Sequence, residues 1–266
     1  MWKRYSKHSV KTWNKSLSMS DTLPYIHEEH TQITSADTDF TKILKPGSLI
    51  NMLIQIAWHH AEKLGFGMEF LHREELVWML SRMHIKIYDY PSWNEHLSFT
   101  TWPKGIRRLF YLRDFEAYGL KNHLMAQATS EWLLIDLKTR RPKLFNPENN
   151  IFNQNKDKHA LMNEVPVIQD LNEKYETFNN TACYSDLDLN QHLTTTRYID
   201  WMLDTLPIEL LRRNKCKELI VNFIREVHYN EQVEILRSGD EDSKTFQFAF
   251  RKSGDAKDLF RGQVSF

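Results

Sequence analysis

Three polar side chains, Asp188, Asn190 and His192, alternate with other residues in the second half of the chain. Alternate residues of an extended segment point to the same side, so a carboxylate, an amide and an imidazole could meet there. Such groups move protons and donate hydrogen bonds to a developing oxyanion. The same pattern is typical of a polar loop whose Asp and Asn close turns on their own backbone. From the spacing alone, a catalytic site and an ordinary loop are both open.

A helix directly after this segment would position it. Apolar residues at helical spacing predict a helix over 195–206, which Pro207 ends. A helix N-terminus beside the three polar groups favours negative charge there. Apolar and β-branched runs separated by turn residues predict four strands after the helix, over 219–229, 232–237, 245–251 and 259–266.

The first half of the chain repeats this order of elements. Apolar spacing predicts a helix over 48–64, with Ser48 as its N-cap and Gly65 at its end. Four strand-like runs follow it, over 76–90, 96–102, 108–118 and 124–137.

The two halves align on each other, which predicts an internal duplication. Asp39 pairs with Asp188 at an offset of 149 positions, and the apolar stripes of the two helices match at the same offset. Further along, Asn94 pairs with Asn230 at an offset of 136. The first half therefore has 13 more residues between its helix and its hairpin.

Each predicted sheet must bury one face, and the helix of the same half supplies the surface. We therefore predict an α+β fold of two units, each with a long helix wrapped by an antiparallel sheet, and the two sheets pairing edge to edge. The predicted organisation is a disordered leader over 1–22, a first unit over 23–145, a linker over 146–174 and a second unit over 175–266. Met1 and Met19 are alternative starts of the translated chain.

The run 188–193, together with 197–201, closely resembles the signature of the acyl-acyl carrier protein thioesterases of plants and bacteria. Shorter stretches extend the resemblance over about residues 30–266, at 78–83, 90–93, 101–102, 107–108, 113–114, 130–132 and 139–141. Members of this family have a tandem double hotdog fold. They hydrolyse the thioester between a fatty acyl chain and acyl carrier protein, which ends chain elongation. The resemblance therefore implies this fold, this reaction and these two partners.

The resemblance also implies which residues are catalytic. The family's Asp, Asn and His match Asp188, Asn190 and His192, and its Glu, from an Arg-Glu-Cys motif in a second-half strand, matches Glu226. Val227 stands where plant members often have Cys, so a thiolate nucleophile has no matching residue here.

Without a serine motif or a usable cysteine, carboxylates must activate the attacking group. We assign Asp188 as nucleophile or water-positioning base and Glu226 as water-activating base; which of them acts directly stays open. Asn190 and His192 are assigned as donors to the carbonyl oxygen.

One such site per chain is expected. Thr41 and Ile43 occupy the first-half positions that correspond to Asn190 and His192, so the first half lacks the amide and the imidazole.

The family places its acyl pocket in the first unit, beneath the helix. Candidate lining residues are Met52, Trp58, Trp78 and Met79, and core packing is the alternative for each. Acyl carrier protein is acidic, so we expect a basic docking surface near the site. The candidate clusters lie at 107–108, 140–141 and 212–215.

Composition and charge exclude several other classes. The 266 residues include 35 basic and 35 acidic side chains, so no overall positive field indicates a nucleic-acid partner. No uncharged apolar stretch approaches the roughly 18 residues that a membrane span needs. Two cysteines, Cys183 and Cys216, make no disulfide scaffold, and we expect both to be structural in a reducing, cytoplasmic setting.

No cofactor and no metal are expected. The run 27–30, His-Glu-Glu-His, lacks the two-residue gap of the His-Glu-x-x-His zinc helix, and we expect it near the start of the first strand.

Two other functions stay open for the same fold. One is a thioesterase that acts on coenzyme A thioesters; the other is a non-catalytic acyl-binding regulator, although the four matched polar residues argue against loss of hydrolysis. A homodimer is left open as the assembly.

Overall fold

The computed structural model describes residues 25–145, 151–171 and 174–266. The leader predicted over 1–22 lies outside the described residues, as do 146–150 and 172–173 of the predicted linker. The α-helices are α1 (Pro46–Lys63), α2 (Met68–Glu74), α3 (Thr195–Asp204) and α4 (Ile208–Arg213). The strands are β1 (His27–Gln32), β2 (Leu76–Ile87), β3 (His96–Arg107), β4 (Phe110–Tyr118), β5 (Leu124–Asp136), β6 (Arg141–Pro142), β7 (Glu176–Thr181), β8 (Glu218–Phe223), β9 (Gln232–Asp240), β10 (Thr245–Lys252) and β11 (Asp258–Ser265).

Helix α1 begins at Pro46, and the predicted serine cap is wrong. Lys45 is the N-cap residue, and Ser48 lies inside the first turn. The fixed φ of Pro46 suits the first helical position, where a backbone N–H would have no helical partner. At the other end Gly65 has a positive φ of 81°, and the Phe66 N–H bonds back to the last turn, which closes the helix as the glycine predicts.

Strand β8 is shorter than the predicted strand over 219–229, because it ends at Phe223. The next two backbone N–H groups both bond to the carbonyl of Leu259, at 2.9 Å each, so the chain leaves the ladder there. Glu226 therefore lies in the connecting segment 224–231, and the expectation that it sits within a strand is wrong.

The sheet runs without interruption through both halves, as predicted. Its strand order is β1-β3-β4-β5-β2-β8-β11-β10-β9-β7, with β6 paired to β5. The second half of this order repeats the first in reverse, and the two halves meet where β2 pairs antiparallel with β8. Pairing edge to edge in this way removes one free edge from each half.

The two long helices, α1 and α3, pack on this sheet in one hydrophobic core. Ile50 of α1 and Ile199 of α3, which match at the 149-residue offset, are each fully buried in it. The helices also touch each other: a Cβ on Gly47 would lie 2.7 Å from a carboxylate oxygen of Asp200. The absence of a side chain at Gly47 thus allows the close approach of α1 to α3.

Strand β1 begins at His27, which confirms the first strand expected at the run 27–30. Four elements are absent from the sequence-based prediction, namely β6, β7, α2 and α4. Strand β6 has only two residues. Strand β7 lies at one edge of the sheet, and its sequence is largely polar, so it lacks the apolar alternation by which a strand is recognised. The helices α2 and α4 have seven and six residues, too few for a periodic pattern.

Within the described ranges, no helix combines the length and the hydropathy needed to cross a bilayer.

A tight loop before α3, residues 187–193, is closed by an aspartate. One carboxylate oxygen of Asp188 accepts hydrogen bonds from the backbone N–H groups of Asn190 and His192, at 2.8 and 3.1 Å. The Asp188 N–H donates to the His192 carbonyl at 2.8 Å, and Gln191 takes a positive φ of 64°. These contacts are those of the polar-loop interpretation, in which the aspartate closes a turn on its own backbone.

The loop before α1, residues 38–44, has the same construction. One carboxylate oxygen of Asp39 accepts from the N–H groups of Thr41 and Ile43, at 2.7 and 3.4 Å, and the Asp39 N–H donates to the Ile43 carbonyl at 2.9 Å. Lys42, which matches Gln191, has a φ of 67°. Because both loops keep the bonded aspartate, this residue has a structural task in each half.

We predict that Asp39→Ala and Asp188→Ala each lower the free energy of unfolding by about 1 kcal/mol, the usual size of a lost bond from a side chain to backbone amides. Asparagine keeps an accepting oxygen, so Asp39→Asn and Asp188→Asn should each cost less than the alanine variant. Urea unfolding at neutral pH measures these differences, and alanine variants with unchanged midpoints would contradict the structural task.

Candidate active site

His192, Glu226 and His228 converge at the end of the loop 187–193. The His192 Nε2 atom lies 3.2 Å from Glu226 Oε2, with side chains 22 % and 41 % exposed. The rings of His192 and His228 meet edge to face with centroids 4.9 Å apart. An imidazole in contact with a solvent-accessible carboxylate can accept, hold and return a proton.

The loop and the segment 224–231 are joined through their backbones. The Leu193 N–H donates to the Val227 carbonyl at 2.8 Å, and His192 lies opposite His228 in an antiparallel bridge. Val227 is fully buried, whereas Glu226 and His228 on either side of it are exposed. Alternation along an extended segment thus turns Glu226 and His228 to the side on which His192 lies.

A second carboxylate holds the segment 224–231 in place. Glu231 accepts a hydrogen bond from the His228 N–H at 3.0 Å, and it forms an ion pair with Lys252 at 2.8 Å. Burial acts to raise the pKa of Glu231, but these two partners outweigh it and hold the pKa below its ordinary value. Glu231 is therefore a fixed anion that supports the segment.

Several carboxylates surround one buried phenol beneath the site. Burial raises the pKa of the Tyr198 hydroxyl, and the charges of Glu226, Asp188 and Glu231 raise it further, although a bond with the Val227 backbone acts the other way. The charges of these carboxylates therefore reach the phenol of Tyr198.

Arg197 connects the loop to helix α3. It pairs with Asp186, a buried residue just before the loop, at 3.0 Å and with Asp200 at 3.2 Å. Burial raises the pKa of Asp200 in spite of the opposing charges of Arg197 and Lys45. Ser48 occupies the matching position in the first half, so this pairing belongs to the second unit alone.

The first half has neither an imidazole nor a carboxylate at the corresponding positions. Ile43 corresponds to His192, Tyr90 to Glu226 and Ser92 to His228. Tyr90 is buried, its hydroxyl donates to the Cys216 carbonyl at 2.8 Å, and burial raises its pKa well above the ordinary value. The two halves share a backbone arrangement but differ in the chemistry that it presents.

Of the four predicted catalytic residues, the structure joins two by side-chain contact, His192 and Glu226. Asp188 and Asn190 are exposed in the same loop and make the backbone contacts described above. His228 was missed by the sequence reasoning. Its position two residues after Glu226 is the signal that could have found it, because such spacing puts both on one side of an extended segment.

The first unit contains an apolar cavity of about 50 Å³ under the second half of α1. Trp58 and Trp78, two of the predicted pocket residues, line it. Met79 follows Trp78 in β2 and so points to the other face of the sheet. Met52 packs half-buried against the main core, and neither methionine lines the cavity. Pockets for small ligands usually measure about 300–1,000 Å³, so a long chain could enter only if the aromatic walls moved.

The three basic clusters differ in how far their charges are neutralised. Arg107 pairs with both Glu131 and Glu164, which removes it from a free positive surface. Residues 140 and 141 are exposed at the β5–β6 turn. On α4, Arg212 pairs with Glu209 at 3.4 Å and lies over the Phe40 ring of the loop 38–44 at 5.2 Å. Arg213 and Lys215 beside it are exposed.

The two cysteines are in different environments. Cys183 is exposed, unlike the buried hydrophobe expected of a free cysteine, and its sulfur caps the short 3₁₀ turn Tyr184–Asp186. Cys216 is buried, and burial raises the pKa of its thiol to about 12. Both thiols donate to backbone carbonyls, Cys183 to that of Thr181 and Cys216 to that of Glu218.

We predict that iodoacetamide at pH 8 modifies one thiol per folded chain, at Cys183, and a second only in denaturant. Alkylation requires a thiolate. Because Cys216 is buried and the pKa of its thiol is raised, it forms no thiolate at this pH in the folded chain. Peptide mapping by mass spectrometry identifies the site. Modification of Cys216 in the folded chain at a rate like that of Cys183 would contradict this interpretation.

Comparison with known proteins gives the site its context. The family model described as the acyl-ACP thioesterase N-terminal domain matches residues 24–150, and the C-terminal domain model matches 169–265. A crystal structure of an acyl-ACP thioesterase from Bacteroides thetaiotaomicron VPI-5482 is similar with a TM-score of 0.84 and 27 % identity, over 91 % of this chain and 98 % of that one. The 12:0-ACP thioesterase from Umbellularia californica has the same fold, with a TM-score of 0.79 and 20 % identity over 90 % and 93 %.

Plant relatives are similar in sequence over most of the chain. Oleoyl-acyl carrier protein thioesterase 1, chloroplastic, of Arabidopsis thaliana is 24 % identical over 283 residues, 89 % of this chain and 74 % of that protein. The chain covers 64 % and 58 % of two further oleoyl-acyl carrier protein thioesterases, from Arabidopsis thaliana and Coriandrum sativum. Both domain models match in order, and each match covers one of the two helix-and-sheet units. The chain therefore belongs to the acyl-ACP thioesterase family and has its double hotdog fold.

Proposed function

We propose that this chain hydrolyses the thioester of fatty acyl-acyl carrier protein to a free fatty acid and the carrier thiol. The observation that carries the proposal is the 3.2 Å contact between His192 and Glu226, which lies in the half that matches the family's C-terminal domain. The relatives' names describe the same class of reaction on oleoyl and 12:0 chains.

Water is the attacking group in this proposal. Glu226 accepts a proton from the water as its oxygen attacks the thioester carbonyl carbon. The carbonyl oxygen becomes an oxyanion, to which the Asn190 amide donates a hydrogen bond. The carbon–sulfur bond then breaks, and the proton held between Glu226 and His192 passes to the leaving sulfur.

Asp188 supports this chemistry through the loop. One of its oxygens accepts two backbone hydrogen bonds, a contact that its first-half counterpart Asp39 also makes, although Ile43 stands there in place of the imidazole. Hydrogen bonds to a carboxylate stabilise its charge and reduce its power as a nucleophile. We therefore infer that Asp188 holds His192 in position and that Glu226 acts on the water.

The acyl chain is proposed to enter the apolar cavity of the first unit. Trp58, Trp78 and Phe152 form part of its wall. The cavity is about 50 Å³, so these side chains must move apart as the chain enters. The location in the cytoplasm stays a prediction, and a homodimer stays open; the plant relatives are named as chloroplastic.

We predict that Glu226→Gln and His192→Asn each lower kcat for fatty acid release by about a hundredfold or more, because each removes a proton-transfer group. The measurement is release of one fatty acid from acyl carrier protein and, in parallel, from coenzyme A. A higher kcat/KM on the carrier protein supports it as the natural partner.

The chain offers a matched control for these variants. His84 and Glu218 form another His–Glu pair, 2.8 Å apart, at the opposite end of β8 from Glu226. Glu218→Gln should keep kcat within about twofold of the unchanged chain, as expected for a change away from the site. Near-normal turnover in Glu226→Gln or His192→Asn, in folded protein, would remove that residue from the proposed mechanism.

We also predict that carrier docking uses the exposed cations beside α4. Arg213→Ala combined with Lys215→Ala should lower kcat/KM for the acyl carrier protein substrate about fivefold or more at low salt, through slower association. Salt should reduce the difference, because the Debye length falls to about 3 Å at 1 M.

A short neutral thioester is the control substrate, and its hydrolysis should be unchanged in the double variant. Arg140→Ala combined with Arg141→Ala is the matched control protein. If only this second pair slows the carrier reaction, docking occurs at the β5–β6 turn and the assignment to α4 is wrong.

A further inference from the structure

Three donor groups of the kind that bind transition metals lie together at the site. His192, Glu226 and His228 each offer one ligand atom, and these atoms all lie within 4.8 Å of one another. Two imidazoles and one carboxylate form a ligand set that zinc uses in open sites, where water completes the coordination. His228 has no place in the proposed hydrolysis, so its convergence on the other two residues calls for a separate account.

One of the three distances already fits a shared ion, and all three ligand atoms lie within 4.8 Å of one another. Bonds of about 2.0–2.2 Å in a tetrahedral arrangement put neighbouring ligand atoms about 3.3–3.5 Å apart. His192 Nε2 and Glu226 Oε2 are already 3.2 Å apart. His228 is exposed, so rotation of its side chain can bring a ring nitrogen into place without moving the core.

The backbone holds the three residues side by side before any ion arrives. His192 and His228 lie opposite each other in the antiparallel bridge, and the Leu193 N–H bonds to the Val227 carbonyl at 2.8 Å. Glu231 holds the His228 N–H at 3.0 Å. Because the backbone is already ordered, less conformational entropy is lost when an ion binds.

The electrostatics also favour a cation. The carboxylate of Asp188, which accepts from the His192 N–H at 3.1 Å, adds a negative charge beside the donors. In the first half, isoleucine, tyrosine and serine occupy the positions of the three donors, at 43, 90 and 92. The ligand set is therefore confined to one side of the duplicated fold.

We propose that His192, Glu226 and His228 bind a divalent transition-metal ion of the zinc class, and that the bound ion inhibits hydrolysis. The ion would occupy the His192 nitrogen and the Glu226 carboxylate, the two groups that move the proton. Imidazole ligands favour zinc, cobalt, nickel and copper over magnesium and calcium. The binding claim stands on the geometry alone, whereas the inhibition claim rests on the proposed function.

Binding is tested with the metal alone. Cobalt(II) is titrated into chelator-treated protein, and visible absorption reports coordination by protein ligands; calorimetry with zinc gives the stoichiometry. We expect one ion per chain. His228→Gln should weaken binding about tenfold or more, since even loss of a residue that only supports a ligand costs that much.

His123→Gln is the matched control, because His123 is an exposed histidine 3.4 Å from Asp89 and outside the site. It should bind the ion as the unchanged chain does. Absence of saturable binding, or binding that is equal in His228→Gln and the unchanged chain, overturns the proposed site. Circular dichroism shows whether each variant is folded, and Glu226→Gln is a second variant that should also weaken binding.

Inhibition is measured as fatty acid release, because the thiol product itself binds zinc. Zinc should stop hydrolysis over the concentrations at which it binds, and His228→Gln should shift the midpoint upward about tenfold. Magnesium should have no effect. Unchanged or faster hydrolysis with the ion bound overturns the inhibition claim. If the metal-free chain hydrolyses no thioester, the proposed function fails while the cobalt titration still decides the site.

Discussion

The hydrogen bond from the Leu193 N–H to the Val227 carbonyl is the contact on which the site depends. It joins the loop that carries His192 to the segment that carries Glu226, two stretches that are more than thirty residues apart in the chain. Val227 is fully buried, so its side chain anchors that segment in the core while its neighbours turn outward. The reactive pair is thus positioned by backbone and core, and the two side chains themselves remain partly exposed.

Duplication supplied this backbone contact twice. In the first half the Leu44 N–H bonds to the Pro91 carbonyl at 3.0 Å, and an aspartate closes the preceding loop in the same manner. Isoleucine and a buried tyrosine stand there in place of His192 and Glu226. The first half instead provides the longer helix, α1, and the apolar cavity. One ancestral arrangement therefore serves as a scaffold in one half and as a candidate site in the other.

The sequence predicted the features that depend on long or repeated patterns. Apolar spacing located both long helices and the central strands, and the 149-residue offset located the two loops. Edge strand β7 was missed because it buries little apolar surface. The start of α1 was misplaced because Pro46 fits the first helical position and makes a serine cap unnecessary. His228 was missed because its spacing from Glu226 shows only that these two share a side, whereas its proximity to His192 arises from a tertiary bridge.

The central claim is that His192 and Glu226 act as one proton-transfer unit, and a double-variant cycle tests it most directly. The measurement is kcat/KM for fatty acid release by His192→Asn, Glu226→Gln and the chain with both changes. Residues that act as a unit are strongly non-additive. The account predicts that the double variant is about as slow as the slower single variant. Losses that multiply in the double variant would show two independent contributions and would contradict it.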